Sequence, residues 1–138
     1  MNIKSIILKT YLLTILFIFS LNIFGQNNKT LLTSKIRVLI QTKAIGCNLK
    51  GKKCSVYFNN SEKTLDIYNN QIPLNDVKVN YEFIQNREFK HWVNFTCRDG
   101  FCMRTVTNQE MQEFSIPFRN RQDCYQLIEA IGNLKETF

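Results

Sequence analysis

The chain has 138 residues, 44% of them hydrophobic, and carries 18 basic residues against 11 acidic for a formal net charge of +7. That length is one ordinary domain, large enough to bury a single core. The basic excess is mild, and its only cluster is Lys50, Lys52 and Lys53 with Lys43 nearby, which argues against a nucleic-acid binder, whose basic residues gather on one face.

Residues 1–25 read as a signal peptide. Lys4 and Lys9 are the only charges there, the apolar run Tyr11 to Leu21 follows, and small Gly25 precedes polar Gln26, Asn27 and Asn28. Cleavage after Gly25 makes Gln26 the mature N-terminus and residues 26–138 a single exported domain, secreted or periplasmic. An uncleaved N-terminal anchor is the alternative, although the apolar run is short for a transmembrane helix of about 20 residues. The ending Phe24-Gly25-Gln26 resembles export signals of Gram-negative bacteria.

Beyond a polar start, Ile36, Val38 and Ile40 alternate with Arg37 and Gln41, which predicts a first strand; a short helix over Leu31 to Ile36 is the competing reading. Cys47 to Cys54, with Gly51 and three lysines, has the composition of an exposed hairpin tip. Ser55 to Phe58 and Thr64 to Tyr68 are β-prone runs joined by a short polar loop. Pro73 is expected to keep Gln71 to Asp76 out of a central strand. Val77, Val79, Tyr81 and Phe83 alternate with polar residues over seven positions, the cleanest strand in the chain. The stretch His91 to Val106 holds the only Trp and the only His. It reads as a hairpin in which Val93, Phe95 and Cys97 face a core, Asn94 and Thr96 face water, Asp99-Gly100 turns, and Phe101 to Thr107 returns antiparallel. Trp92, Phe95, Phe101 and Phe114 are expected in the core. Phe114, Ile116 and Phe118 form a last strand, whose Pro117 points to an edge position or a strand end. The period then changes to 3.6: Cys124, Leu127, Ile128, Ile131 and Leu134 mark one stripe of an amphipathic helix capped by Asn120.

The reading is α+β, an antiparallel sheet or partly open barrel of six to seven strands closed by one C-terminal amphipathic helix. That order of elements, from Arg37 through Phe118 to the helix Arg121 to Leu134, resembles the pleckstrin-homology-like fold. The helix lacks the Trp that pleckstrin-homology domains proper carry there. The resemblance implies binding of lipids or peptides more than catalysis.

All five cysteines follow the leader, so export would place them where disulfides persist. Five thiols forming two bonds allow 15 arrangements; the simplest pairs Cys47 with Cys54 and Cys97 with Cys102 and leaves Cys124 a buried structural thiol. A zinc tetrathiolate is the alternative use of the four, with ligand spacing met by Cys97 and Cys102 but not by Cys47 and Cys54. Two functions from different classes follow. The first is a non-catalytic exported binding or interaction module, with no cofactor, metal or catalytic residue assigned, and with Lys50, Lys52 and Lys53 as an anion-binding loop for a polyanion or an envelope or extracellular protein. The second is a small exported hydrolase or redox protein that uses Cys124, with His91 as its imidazole partner, or an exposed pair of cysteines.

Overall fold

A computed structural model describes residues 3–49 and 51–138, so Lys50 of the expected anion-binding loop lies outside the described residues. The chain divides into two compact units, the first ending at Leu31 and the second running Leu32–Phe138. Helix α1, Ile3–Lys43, begins in the first and ends in the second. Within the first unit its apolar side chains, among them Leu8, Leu12, Phe17 and Phe24, are exposed. By length and composition this segment is apolar enough to cross a membrane, a property that a signal sequence near an N-terminus shares.

The strand expected over Ile36 to Ile40 is helix. Leu32, Ile36, Leu39 and Ile40 are buried at positions i, i+4, i+7 and i+8, while Val38 is 54% exposed. Arg37 and Gln41, one turn apart, donate from Nε and Nε2 to the carbonyls of Val56 (3.1 Å) and Cys54 (2.8 Å).

The second unit is α+β, with antiparallel sheets and a C-terminal helix. A two-stranded hairpin, β1 (Asn48–Leu49) with β2 (Lys52–Lys53), precedes β3 (Val56–Asn59), β4 (Thr64–Ile67) and β5 (Asn70–Pro73). These three join β8 (Met103–Arg104) and β9 (Glu110–Met111) in a five-stranded sheet of order β3-β4-β5-β8-β9. The other sheet has the order β10-β7-β6, from β6 (Val77–Phe83), β7 (His91–Cys97) and β10 (Glu113–Phe118). Helix α2, Arg121–Lys135, packs across this sheet and buries Cys124, Leu127, Ala130, Ile131 and Leu134. The Asn120 side chain accepts from the Asp123 amide and caps the helix. One hydrophobic cluster joins both sheets to α2 and to the buried positions of α1 from Leu32 onward.

Four further expectations are corrected. First, Phe101 to Thr107 does not return along β7. Asp99-Gly100 does turn, with Gly100 at φ +56, but β7 is already paired on both sides by β6 and β10, so the chain crosses to the other sheet and β8 pairs with β5 at Gln71 and Arg104. Second, β5 is the central strand of its sheet. Pro73 is tolerated because it ends the strand, two residues past the single β8 pairing. Third, Phe101 is 65% exposed, not core. Fourth, Asn94 is only 7% exposed; its Nδ2 donates to the Glu82 carboxylate, and its Oδ1 has no hydrogen-bond partner. Pro117 does lie on an edge strand, where the Ile45 amide donates to its carbonyl at 2.8 Å and Ala44 bridges to Phe118.

Candidate functional site

The register of the three-stranded sheet places His91 opposite Phe118 on one side and Phe83 on the other. The start of β7, the end of β10 and Ile45, which follows the Ala44 bridge to Phe118, therefore meet at one end of the sheet. There a cleft of about 310 Å³ is lined by Ile45, Glu88, Phe89, Lys90, His91, Phe118 and Arg119. That volume is at the lower end for small-ligand sites. Ile45, Phe89 and Phe118 supply apolar wall, and Lys90 and Arg119 supply two cationic residues beside the His91 imidazole, against one acid, Glu88.

His91 is held from one side. Its Nδ1 lies 2.9 Å from the Tyr81 hydroxyl, and its ring packs against Tyr81 and Phe83 with centroids 6.0 and 5.5 Å apart. Tyr81 in turn lies 5.2 Å from Tyr125 of α2, and the Arg121 guanidinium covers both rings and donates to the Tyr125 hydroxyl. That hydrogen bond is the main cause holding the Arg121 pKa above its ordinary value. Trp92 points to the opposite face of the sheet. Its Nε1 donates at 2.7 Å to the carbonyl of Phe89, a wall residue of the cleft, and Arg87 stacks over its ring. The only Trp is thus wired to the cleft through a backbone carbonyl.

The cysteines lie elsewhere. Cys47 is bonded to Cys54, with Cα atoms 4.8 Å apart, and Cys97 to Cys102, with Cα atoms 5.7 Å apart. Engaged in disulfides, the four sulfurs offer no thiolate to a metal, and among the described residues no group of three or more His, Cys, Asp or Glu is placed to hold an ion. Cys124 is unpaired and fully buried on the core stripe of α2. Burial, assisted by neighbouring Asp123, pushes its thiol up to about 11. Such a group is protonated at neutral pH and inaccessible, which is the opposite of what a nucleophile needs. Lys52 and Lys53 are exposed on β2.

Of the residues singled out from sequence, only His91 lines the cleft. Lys90 and Arg119 were missed because each reads as a polar residue flanking a strand, and only the β7–β10 register brings them together. Their signal, a basic residue directly beside an aromatic or imidazole strand terminus in both strands, is too common to stand alone. Comparisons with protein-family models, with curated proteins and with solved structures gave no match.

Proposed function

We propose that the chain is an exported, disulfide-stapled binding module whose ligand site is the cleft beside His91, and that the ligand carries an anionic head on a small apolar body. On this reading residues 1–25 are a signal peptide and residues 26–138 the mature domain, secreted or periplasmic. The exposed apolar helix at the N-terminus and two disulfides support it, since such bonds persist in oxidising compartments. The antiparallel strands followed by a C-terminal helix support the finer reading of a pleckstrin-homology-like arrangement. The exposed Lys52 and Lys53 hairpin is a secondary, salt-sensitive contact for polyanions, screened within a Debye length of about 8 Å at physiological salt.

The observation that carries the function is the cleft itself, where Lys90 and Arg119 stand beside an apolar wall and the His91 imidazole. Arg and Lys match carboxylate or phosphate, and the wall of Ile45, Phe89 and Phe118 selects an apolar body behind it. The buried, protonated state of Cys124 weighs against a Cys-dependent hydrolase or redox enzyme. The test is a titration of the exported protein, read by Trp92 fluorescence, with 4-phenylbutyrate, 4-phenylbutyl phosphate and neutral 4-phenylbutanol. The two anions are expected to shift the emission and the alcohol to bind far more weakly, and the Lys90→Glu/Arg119→Glu variant is expected to lose the anion response. An alcohol that binds as well as the anions, or a double variant that binds them unchanged, overturns the reading.

A further inference from the structure

Strand β6 forms one edge of its sheet: it pairs with β7 and with no other strand among the described residues. Its outward backbone groups can be identified. Arg98 donates to the Asp76 carbonyl and Ile84 to the Lys90 carbonyl, so the even-numbered residues of β6 exchange hydrogen bonds with β7. The N–H and C=O groups of Val77, Val79, Tyr81 and Phe83 therefore point away from the sheet. At one end Lys135 Nζ confirms this direction by donating to the Val77 carbonyl at 3.2 Å. Val77 is fully buried, so the free edge runs from Lys78 to Phe83, and a free edge of that kind is a template for another strand.

The sequence of that edge, Val77-Lys-Val-Asn-Tyr-Glu-Phe83, is complementary to itself in reverse. We propose that two copies of the chain join through β6 about a two-fold axis at Asn80, making one continuous six-stranded antiparallel sheet. In this register Val79 faces Tyr81 of the second copy, and the symmetry repeats the pair. Both are residues whose backbone groups point outward, so they form the hydrogen-bonded pairs, while Val77, fully buried and with its carbonyl taken by Lys135, stays outside the contact. Lys78 and Asn80 then fall at non-hydrogen-bonded positions, where side chains approach most closely. Lys78 meets Glu82 of the second copy, and the symmetry repeats the pair on the other side of Asn80. Sliding the strands by two residues sets Lys78 opposite Asn80 or Asn80 opposite Glu82 and loses both charge pairs, so charge complementarity selects one register. Lys78, Asn80, Glu82 and Phe83 are all exposed, and Glu82, which accepts from Asn94 through Oε2, keeps Oε1 for the lysine. An isologous contact of this kind closes on itself and stops at two copies.

The test is the solution mass of the exported protein by light scattering. The wild type is expected at twice the protomer mass. Lys78→Glu and Glu82→Lys, which place like charges opposite each other twice per contact, are each expected at the protomer mass, with melting transitions showing that they fold. An equimolar mixture of the two variants restores opposite charges at both pairs and is expected to regain the doubled mass, an outcome that damage to the individual fold does not produce. Asn80→Cys gives an independent readout: a non-hydrogen-bonded pair on the axis has Cα atoms about 4.5 Å apart, within disulfide reach, so non-reducing electrophoresis is expected to show a covalent dimer. A monomeric wild type, a dimer indifferent to Lys78→Glu, a mixture that stays at the protomer mass, or an Asn80→Cys protein that does not cross-link overturns the proposal.

Discussion

The stretch Ile36 to Ile40 offers a direct test of the packing, because a strand and a helix assign its residues to different faces. In a strand Ile36, Val38 and Ile40 share a face; in the helix Ile36, Leu39 and Ile40 do, and Val38 looks outward. The pair of substitutions Ile36→Ala and Val38→Ala separates the two. Ile36 is fully buried, and truncating such a side chain to Ala costs about 2 to 5 kcal/mol, transfer and cavity together. Val38 is 54% exposed, so Val38→Ala loses little burial and gains helix propensity of a few tenths of a kcal/mol. The expected outcome is a loss of about 3 kcal/mol for Ile36→Ala, lowering Tm by about 12 °C at roughly 4 °C per kcal/mol for a domain of this size, and a change within about 0.5 kcal/mol for Val38→Ala. Urea and thermal unfolding, followed by far-UV circular dichroism, measure both. A Val38→Ala variant destabilised as much as Ile36→Ala would show that this segment does not pack as a helix.

Removing the Cys97–Cys102 bond with the double Ala substitution is expected to cost about 2 kcal/mol, the chain-entropy value for a closed loop of six residues, seen calorimetrically as a Tm lower by about 8 °C. Cys124 is expected to resist iodoacetamide at pH 8 until the protein unfolds, with rapid native labelling the contrary result. Its thiol also sets a pH dependence: the folded value of about 11 lies above the ordinary 9.0, so between those values the unfolded chain sheds a proton that the folded one keeps. The stabilisation is complete below about pH 9 and is lost as the pH rises toward 11, by about 3 kcal/mol in total. Tyr68, raised by burial, contributes with the same sign, so the difference between wild type and Cys124→Ala isolates the thiol; parallel stability profiles for the two would refute the assignment.

Much of the three-stranded sheet was legible because β6, β7 and β10 carry long alternations and each has one face against α2. The helix α2 was legible for the same reason at period 3.6, with Asn120 as its cap. The rest depended on contacts that no local pattern encodes. Ile-Arg-Val-Leu-Ile-Gln satisfies both periods over six residues, and only the burial of Leu32 and Leu39 decides between them. The β4–β5 hairpin turns through Tyr68 and Asn69 at φ 54 and 63, a pair of left-handed residues in which Tyr is no turn signal. Tertiary contacts hold it there: the Tyr68 hydroxyl lies 2.6 Å from Cys47 Sγ, to which it can only donate because the disulfide sulfur has no hydrogen, and the ring meets Phe114 edge-on. Asp99-Gly100 announced a turn correctly but not where it leads, since that depends on β10 having taken the second side of β7.

That last contact also explains how the two ends of the β10-β7-β6 sheet come to be tied by different contacts. The three crossings between the sheets, Leu74 to Asp76 leaving β5, Arg98 to Cys102 leaving β7 and Gln112 between β9 and β10, meet at one end, where the Asp76 carbonyl accepts from the Arg98 amide, the Gln112 carbonyl accepts from the Cys97 amide, and the Cys97–Cys102 bond clamps β7 to the start of β8. The His91 cleft lies at the other end of β7, six residues and about 20 Å away at 3.4 Å per residue. It is braced by a separate set of contacts: the Ile45 amide on Pro117, the Ala44 bridge to Phe118, and the chain Arg121, Tyr125, Tyr81, His91 that runs down from the first turns of α2. Each end is thus tied by bonds the other does not share. Breaking the disulfide removes a constraint from the crossings while the groups that shape the cleft keep their partners, so a loss of stability at one end leaves the shape of the cleft at the other intact.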